Sequence, residues 1–360
     1  MIKPTFMTAL MLFVSLVAGV QTQYVSAKEY AETAADFVTH NVQMSDGQRL
    51  ADMRIHYVTI GTPHRNTSGQ IDNAVLLMHG TTGTSQEFLT SLMRSELYAP
   101  GQPLDAQRYF IVIPDGLGRG GSSKPSDGMG ADFPHYGYGD VIAANHRLLI
   151  EGLEVQHLRL VLGVSMGGMQ TWMWGEQYPD MADALMPVVS QPAAISGRNW
   201  LWRQMVISAI RQDPDWHEGR YTSPPTQWLR VMPIFGVLTI NPLQLQHQAP
   251  TRETAAQLYE TLVKQAGAYD ANDVLYWFES AKDYDPAPKL GVIRSKLLAV
   301  NFADDLLNPP DLGVLPKAIT QVPNGRYVEV PESEPSYGHQ TQTHPEKWKH
   351  YLSQLLDDAR

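Results

Sequence analysis

Runs of apolar residues recur along the middle of the chain, and each run stops at glycine, proline or polar residues. An unbroken apolar run predicts a strand buried on both faces of a sheet, whereas alternation predicts a strand with one polar face. Residues 54–60 alternate, and a short strand is also predicted over residues 326–330. Unbroken runs cover residues 74–78 and 109–113, and further buried strands are predicted over residues 158–163, 184–189 and 296–302.

Helical periodicity lies between these strands. Apolar residues return at helical spacing over residues 140–153, where Asp140 is the predicted N-cap. Residues 166–178 predict a second helix, which stops before Pro179, and residues 346–356 predict the last one. Strand and helix therefore alternate, which predicts an α/β fold with a mostly parallel, doubly wound sheet.

The alternation breaks between residues 191 and 288, where tryptophans and prolines interrupt helix-like pieces. Strands resume afterwards, which favours a helical cap inserted over the edge of the sheet; a separate second domain is the alternative. The predicted organisation is a core over residues 28–190, the cap insertion over residues 191–288, and the second part of the core over residues 289–360.

The N-terminal residues have the layout of a secretory signal peptide. Lys3 gives a positive start, residues 6–20 are apolar, and Val25-Ser26-Ala27 places small residues at the cleavage position. The apolar run of about 15 residues is shorter than the roughly 20 that a membrane-spanning helix needs. Residues 1–27 are therefore a predicted signal peptide, and the protein is expected to be secreted or periplasmic. An uncleaved membrane anchor is the alternative.

Composition narrows the function. Hydrophobic residues make up 43% and charged residues 18%, which predicts a folded chain rather than a disordered one. The net charge is −10, so the basic surface of a nucleic-acid-binding protein is not expected. The chain has no cysteine, which excludes disulfides, thiolate catalysis and cysteine-ligated metals. His, Asp and Glu show no metal-ligand spacing, so neither a metal nor another cofactor is expected.

A glycine-rich segment over residues 116–123 resembles a phosphate-binding loop at first sight. It lacks the lysine of a P-loop and the glycine spacing of a dinucleotide site, and no helical pattern follows it. The segment is therefore predicted to be a structural turn.

The sharpest motif is Gly163-Val164-Ser165-Met166-Gly167, which follows a predicted strand and opens a predicted helix. In a nucleophile elbow the chain turns sharply at such a motif, so that the serine hydroxyl stands clear of the sheet. Ser165 is therefore the predicted nucleophile. A serine hydroxyl is a weak nucleophile at its own pKa, so it requires a base that is held by an acid.

In this architecture the acid follows the serine along the chain, and a histidine base follows the acid. The predicted strand over residues 296–302 runs directly into Asp304 and Asp305. Either carboxylate would lie at the end of a parallel strand, where functional groups collect. From the residues alone both remain candidates for the acid, and the other one is expected to cap the helix near Pro309.

His339 is the predicted base, since it comes after the strand over residues 326–330 and a proline- and serine-rich loop. His344 is the alternative. Pro345 follows it and marks the first turn of the last helix, which predicts a surface capping role for His344 instead.

Two backbone N–H groups are predicted to bind the oxyanion that forms on the substrate. One is the N–H of Met166, at the start of the helix after the nucleophile. The other is the N–H of Thr81, in the glycine-rich loop that follows the strand over residues 74–78. His79 lies in the same loop and is expected to support it rather than to act as the base.

The chain from about residue 54 to the last helix resembles the homoserine O-acetyltransferase branch of the α/β-hydrolase superfamily. The resemblance rests on residues 163–170 (GVSMGGMQ), 140–149 (DVIAANHRLL) and 304–310 (DDLLNPP). It implies the α/β-hydrolase fold with a helical cap, and it places the acid at Asp305 and the base at His339. Relatives of this family are often dimers, so a homodimer is implied, while the sequence itself leaves the oligomeric state open.

Two departures from the family bear on the substrate. The resemblance implies an arginine that holds the carboxylate of the amino acid, and this chain has Ile207 at that position. The family's Asp after the histidine is replaced by Gln340. Predicted export also separates the protein from cytoplasmic acetyl-CoA.

The predicted function is therefore a secreted or periplasmic serine hydrolase that cleaves a small-molecule carboxylic ester through an acyl-enzyme. The alternative is an O-acyltransferase, which passes the acyl group to an acceptor hydroxyl. A third hypothesis is a non-catalytic binding protein on the same fold, since a fold alone does not prove an activity.

Overall fold

The computed structural model describes residues 31–359, and the predicted signal peptide lies outside these residues. Eight strands form one sheet. They are β1 (Glu32–Gln43), β2 (Arg49–Ile60), β3 (Ala74–Met78), β4 (Phe110–Pro114), β5 (Leu158–Val164), β6 (Ala182–Val188), β7 (Lys296–Phe302) and β8 (Gly325–Val330).

The strands are ordered β1-β2-β4-β3-β5-β6-β7-β8 across the sheet. β1 and β2 form an antiparallel pair, and β2 pairs antiparallel with β4. All other neighbours are parallel. The C-terminal ends of the parallel strands therefore meet at one side, the carboxyl edge of the sheet, where ligands bind in open α/β folds.

Helices connect and cover the strands. Within the described residues they are α1 (Ser91–Met93), α2 (Tyr138–Arg147), α3 (Met166–Gln177), α4 (Gly197–Arg211), α5 (Pro233–Thr239), α6 (Pro242–Gln248), α7 (Arg252–Ala266), α8 (Ala271–Glu279), α9 (Val314–Ala318) and α10 (Lys349–Asp358). None of them is long and apolar enough to cross a membrane.

Both faces of the sheet are buried, which explains the unbroken apolar runs. Along β3, Leu76 and Met78 pack into the core cluster that also contains α2 and α3, while Val75 and Leu77 pack into the cluster that contains α10. Successive side chains of a strand point to opposite faces, so a strand covered on both sides needs apolar residues throughout. The predicted α/β fold with a mostly parallel, doubly wound sheet is confirmed.

Several local predictions were wrong. β1 was not predicted, and β2 begins at Arg49 rather than at residue 54. Gly137, not Asp140, is the N-cap of α2. Asp140 occupies the third helical position, where its carboxylate accepts a hydrogen bond from the Gly137 N–H at 2.9 Å. α2 continues as a π-helical turn over Leu148–Gly152, and the last α-helix begins at Lys349 after a separate 3₁₀ turn.

The chain between β6 and β7 contains α4 to α8, and we call residues 189–295 the insertion. It packs against the core through specific polar contacts. Asp273 of α8 accepts hydrogen bonds from the Ser126 N–H at 2.8 Å and hydroxyl at 2.7 Å. Near the carboxyl edge, Asn241 donates to Asp304 at 2.6 Å. The helical character of this region agrees with the predicted cap, while the exact boundaries at residues 190 and 288 stay predictions.

Candidate active site

Ser165 lies on a sharp turn between β5 and α3. Its φ of 53° and ψ of −110° fall in a region that side chains rarely adopt, as a nucleophile elbow requires. A Cβ atom on Gly163 would lie 2.0 Å from the Gly167 carbonyl oxygen, and one on Gly167 would lie 2.0 Å from the Met78 carbonyl oxygen. The two glycines of the motif are therefore needed because backbone approaches backbone closely on both sides of the serine.

The structure brings Ser165, His339 and Asp305 together. His339 Nε2 lies 2.8 Å from Ser165 Oγ, and His339 Nδ1 lies 2.8 Å from Asp305 Oδ2. All three residues are buried, with exposed fractions of 4%, 1% and 1%. An ionised carboxylate only accepts hydrogen bonds, so Asp305 favours the tautomer with a proton on Nδ1 and leaves Nε2 free to accept from the serine hydroxyl.

Asp305 is itself held in place by the loop after β7. Its Oδ1 accepts from the backbone N–H groups of Leu307 at 2.7 Å and Asn308 at 3.1 Å. The Asn308 side chain donates to the Val189 carbonyl at 2.8 Å, which ties this loop to the end of β6. The carboxylate therefore has a fixed orientation, with Oδ2 directed at the imidazole.

Asp304, the other acid candidate, has a different contact set. Its Oδ2 accepts from the Ser336 hydroxyl at 2.6 Å and the Gly338 N–H at 2.8 Å, as well as from Asn241. It thus braces the 3₁₀ segment that carries His339 against the insertion. The expectation that the second aspartate caps the helix near Pro309 was wrong.

His344, the other base candidate, lies away from the serine. Its ring stacks on Tyr337 with a centroid distance of 3.7 Å, and its Nδ1 lies 3.2 Å from a Glu346 carboxylate oxygen. It is the N-cap residue of the 3₁₀ turn Pro345–Lys347, in agreement with the predicted capping position.

Of the two predicted oxyanion donors, Met166 follows Ser165 directly, and Thr81 lies in a loop that approaches it, since a Cβ atom on Gly80 would lie 3.7 Å from Ser165 Cβ. Within residues 31–359, neither the Thr81 N–H nor the Met166 N–H donates to a protein acceptor. The Gly80 carbonyl, on the same peptide plane as the Thr81 N–H, accepts from His79 Nδ1 at 2.8 Å and from the Gly83 N–H at 3.0 Å. The C=O and N–H of a trans peptide point in opposite directions, so these bonds direct the Thr81 N–H away from the loop interior.

His79 supports this loop as a neutral imidazole. Its Nε2 accepts from the Gly116 N–H at 2.9 Å, so Nδ1 carries the proton donated to the Gly80 carbonyl. Burial lowers the pKa of His79 from 6.5 to about 4, which keeps both hydrogen bonds in place at neutral pH.

A pH prediction follows from His79. The native state favours the neutral ring, so its contribution to stability is complete above about pH 6.5 and is lost as the pH falls towards 4. The native state should lose about 3 kcal/mol of unfolding free energy from this group over that range. His79→Gln keeps an acceptor near Gly116 but cannot titrate, so chemical denaturation from pH 7 to 4 should show a shallower pH slope than the wild type.

His157→Gln is the matched control. A hydrogen bond to Asp183 raises the pKa of His157, so its contribution is present at low pH and is lost as the pH rises. Removing it should therefore steepen the acid-side loss of stability. A His79→Gln slope equal to that of the wild type would contradict the assigned role of His79.

Glu87 is a site residue that sequence reasoning missed. Its Oε2 accepts from the Gly80 N–H at 2.7 Å, and burial raises the pKa of its carboxyl against this bond. A Cβ atom on Gly80 would lie 3.4 Å from both carboxylate oxygens and 3.7 Å from Ser165 Cβ; one on Gly83 would lie 2.2 Å from Oε2. The loop glycines thus make room for this carboxylate, but glycines alone do not indicate which side chain fills the space.

The glycine-rich segment over residues 116–123 forms a turn, in agreement with its structural interpretation. Asp115 closes it by accepting from the Gly121 N–H at 2.8 Å, and the same carboxylate accepts from the Ser85 N–H at 2.6 Å. Arg119 of this turn donates to the Thr82 and Gly83 carbonyls of the loop over residues 79–83, which contains the predicted donor Thr81 and which we call the oxyanion loop. The sequence did not indicate this contact. Within the described part of the chain, no group of three His, Asp or Glu side chains is placed to hold a metal ion.

A serine on a strand–helix elbow, at the carboxyl edge of a mostly parallel sheet, is the defining arrangement of the α/β-hydrolase class. The sequence agrees with this class. A family profile described as the alpha/beta hydrolase fold matches residues 73–336, and the chain belongs to that family.

Relatives confirm the resemblance to homoserine O-acetyltransferases. A homoserine O-acetyltransferase from Desulfotalea psychrophila is 28% identical over 82% of this chain and 85% of its own length. A probable acyltransferase from Methanothermobacter thermautotrophicus is 28% identical over 79% of this chain and 86% of its own length. The chain is therefore a homoserine O-acetyltransferase-like α/β hydrolase.

Solved structures of both transferases and esterases share the fold. The homoserine O-acetyltransferase from Bacillus anthracis superposes with a TM-score of 0.78 at 20% identity, over 91% of this chain and 98% of its own. An acetylester hydrolase from Corynebacterium glutamicum also gives a TM-score of 0.78, at 19% identity, over 90% of this chain and 96% of its own. At these identities the comparison establishes the fold alone.

Proposed function

We propose that this protein is a serine hydrolase that cleaves a carboxylic ester through an acyl-enzyme on Ser165. The observation that carries the proposal is the continuous hydrogen-bonded series from Ser165 through His339 to Asp305, with distances of 2.8 Å at both contacts. The series has the order and the spacing that proton transfer from a serine hydroxyl requires.

In the first half-reaction, Ser165 Oγ attacks the ester carbonyl carbon while His339 Nε2 takes the hydroxyl proton. Asp305 stabilises the imidazolium and holds its orientation without becoming protonated. The tetrahedral intermediate then collapses, its bond to the alcohol oxygen breaks, and His339 gives its proton to the leaving alcohol. In the second half-reaction His339 deprotonates a water molecule, which attacks the acyl carbon. The bond between that carbon and Ser165 Oγ then breaks, and His339 returns the proton to Oγ, which releases the acid and regenerates the Ser165 hydroxyl.

The negative charge on the tetrahedral intermediate requires donors that are fixed before the reaction. The N–H groups of Thr81 and Met166 are proposed to supply them, each contributing roughly 3 kcal/mol to transition-state stabilisation. Their lack of protein acceptors among the described residues supports this assignment, since a buried N–H normally has a partner.

A cavity of about 330 Å³ lies beside the proposed site, between the loops that follow β6 and β7. Met169, which lines it, donates its N–H to the Ser165 carbonyl at 2.9 Å, and Leu307 and Asn308 connect it to Asp305. The lining combines apolar side chains with a few amides, the Ser196 hydroxyl and Arg198, and such a mixture suits a small organic ester. We assign this cavity to the acyl or alcohol part of the substrate.

Acyl transfer is the second candidate function, and two observations favour it. Relatives of this chain are named as acyltransferases. Ser165 is also only 4% exposed, and a site that excludes water favours transfer to an alcohol over hydrolysis. Homoserine is not the proposed acceptor, because Ile207, at the position of the family's carboxylate-binding arginine, is buried in the apolar core.

Product analysis separates the two functions. The protein without residues 1–27 should hydrolyse p-nitrophenyl acetate, and the free acid should account for all released acyl groups when no other alcohol is present. When small alcohols are added in turn, hydrolysis predicts the same acid yield. A new ester that replaces the acid would instead establish acyl transfer, and the absence of any turnover with either set would contradict both functions.

Export from the cytoplasm is also proposed, on the basis of Lys3 and the apolar residues 6–20. N-terminal sequencing of the protein purified from its native host should give Lys28 as the first residue. A mature protein that begins at Met1 and remains in the cytoplasm would contradict this proposal.

A further inference from the structure

Arg119 is a buried cation without a carboxylate partner. Its exposed fraction is 6%, and within residues 31–359 it forms no ion pair with an Asp or Glu side chain, although the Asp273 carboxylate is near enough to raise its pKa electrostatically. Burial lowers its pKa to about 10, so it remains charged at neutral pH. A buried, unpaired charge is costly, and it persists only where other groups compensate for it.

The compensating groups belong to two different parts of the protein. On one side, Nη2 donates to the Thr82 carbonyl at 2.6 Å and to the Gly83 carbonyl at 3.0 Å, and Nε donates to Gly83 at 3.1 Å. On the other side, the guanidinium carbon lies 3.0 Å from the ring centroid of Trp277 in α8, and 5.5 Å from that of Tyr269. Arg119 therefore joins the oxyanion loop to the insertion.

The contact reaches the oxyanion donor through two peptide planes. The Thr82 carbonyl that Arg119 holds belongs to the same plane as the Gly83 N–H, which donates to the Gly80 carbonyl at 3.0 Å. The Gly80 carbonyl in turn belongs to the same plane as the Thr81 N–H. Because peptide planes are rigid, fixing the first plane restrains the direction of the donor on the second.

We infer that Arg119 is a positioning residue, which uses the docking of α8 to hold the Thr81 N–H in the direction that oxyanion binding needs. This inference rests on the proposed function. It gives the insertion a second role besides covering the site: α8, which Asp273 fixes on Ser126, completes the support of the oxyanion loop through Trp277.

The test compares Arg119→Met and Arg119→Lys with the wild type, using p-nitrophenyl acetate turnover and inhibition by butylboronic acid. The boronate forms a tetrahedral adduct on the serine, so its affinity reports the oxyanion donors. Arg119→Met should lower kcat by roughly 10- to 100-fold, leave KM within about threefold, and weaken the boronate by a similar factor to kcat. Arg119→Lys, which keeps the charge but loses the planar fork, should recover part of both losses.

Trp277→Leu tests the link to the insertion. It should lower kcat less than Arg119→Met does, and the double variant should be no worse than Arg119→Met alone, because both changes break the same support. Arg203→Met is the matched control. Arg203 is a buried arginine, 4.8 Å from the Trp202 ring centroid, that makes no hydrogen bond to residues 79–83 in the described chain. Its loss should lower the thermal midpoint and leave kcat and boronate affinity within about twofold.

The outcomes separate the inference from the function on which it rests. An active wild type whose Arg119 variants keep kcat and boronate affinity within twofold overturns the inference alone. The same holds if kcat falls while boronate affinity is unchanged, since the oxyanion donors would then be intact and Arg119 would act on the rate by another route. If Arg119→Met does not fold, Arg119→Lys and Trp277→Leu decide on the same two readouts. A folded wild type with neither turnover nor boronate binding overturns the proposed function together with the inference.

Discussion

Replacing Ser165 with alanine is expected to lower kcat for p-nitrophenyl acetate by about 10⁴-fold or more. The remaining oxyanion donors and binding contacts would still favour attack by water, so a small residual rate is expected. The substitution relieves no backbone strain, because residue 165 keeps its φ of 53° with alanine as with serine. Stability should therefore change little, and the measurement is kcat on protein with an unchanged unfolding midpoint.

Ser295→Ala is the control for this prediction. Ser295 is also buried, and its hydroxyl donates to the Ala182 carbonyl at 2.7 Å at the opposite edge of the sheet. Its loss should lower stability by about 1 kcal/mol and leave kcat nearly unchanged. Wild-type turnover by the Ser165→Ala variant would mean that another group is the nucleophile.

His339→Ala is expected to have the second large effect, a loss of kcat of about 10⁴-fold or more. Without the imidazole, the Ser165 proton has no acceptor, and the Asp305 carboxylate is left buried without its partner. Stability should fall as well, because an unpaired buried carboxylate is costly. The measurement is kcat together with the free energy of unfolding.

The control is His344→Ala, five residues along the same segment. His344 stacks on Tyr337 and contacts Glu346, and it touches none of the three proposed catalytic side chains in the described structure. It should lose less than 1 kcal/mol of stability, with kcat within a few-fold of the wild type. If the two histidine variants lost equal activity, the choice of His339 as the base would be wrong.

Local sequence signals were sufficient for much of the fold. Residues 74–78 and 296–302 are strands with the predicted bounds. In both cases turn-forming residues follow a short buried stretch, and a helix of that length would not need to be buried on all sides. β1 was missed because its residues are mostly exposed on both faces, so neither alternation nor an apolar run marks it. β1 is a strand because it pairs with β2 at the edge of the sheet, and its own residues do not indicate that pairing.

The same division holds for the candidate site. Ser165 is marked by the residues next to it, and Asp305 and His339 by their order after strands, so sequence alone could bring all three together. Glu87 fills space left by two glycines of the loop just before it, and Arg119 lies against Trp277, which is distant along the chain. Neither relation has a periodicity or a motif, so only the packed structure shows it.

Neighbouring aspartates illustrate why a residue type alone does not assign a role. Asp304 and Asp305 follow the same strand and are both within reach of the segment that carries His339. Asp304 accepts from Ser336 and Gly338 and so holds that segment, whereas Asp305 accepts from the imidazole itself. We interpret the pair as a support and an acid, which divides positioning from proton transfer between adjacent residues.

Covalent labelling tests the central claim most directly. The protein is incubated with a fluorophosphonate, which reacts with an activated serine, and the site of the adduct is found by peptide mass spectrometry. The account predicts a single adduct on Ser165 that forms in step with loss of turnover, and a labelling rate in His339→Ala lower by at least about 10³-fold. An adduct on a different residue that abolishes turnover, or full turnover by protein labelled at Ser165, would contradict it.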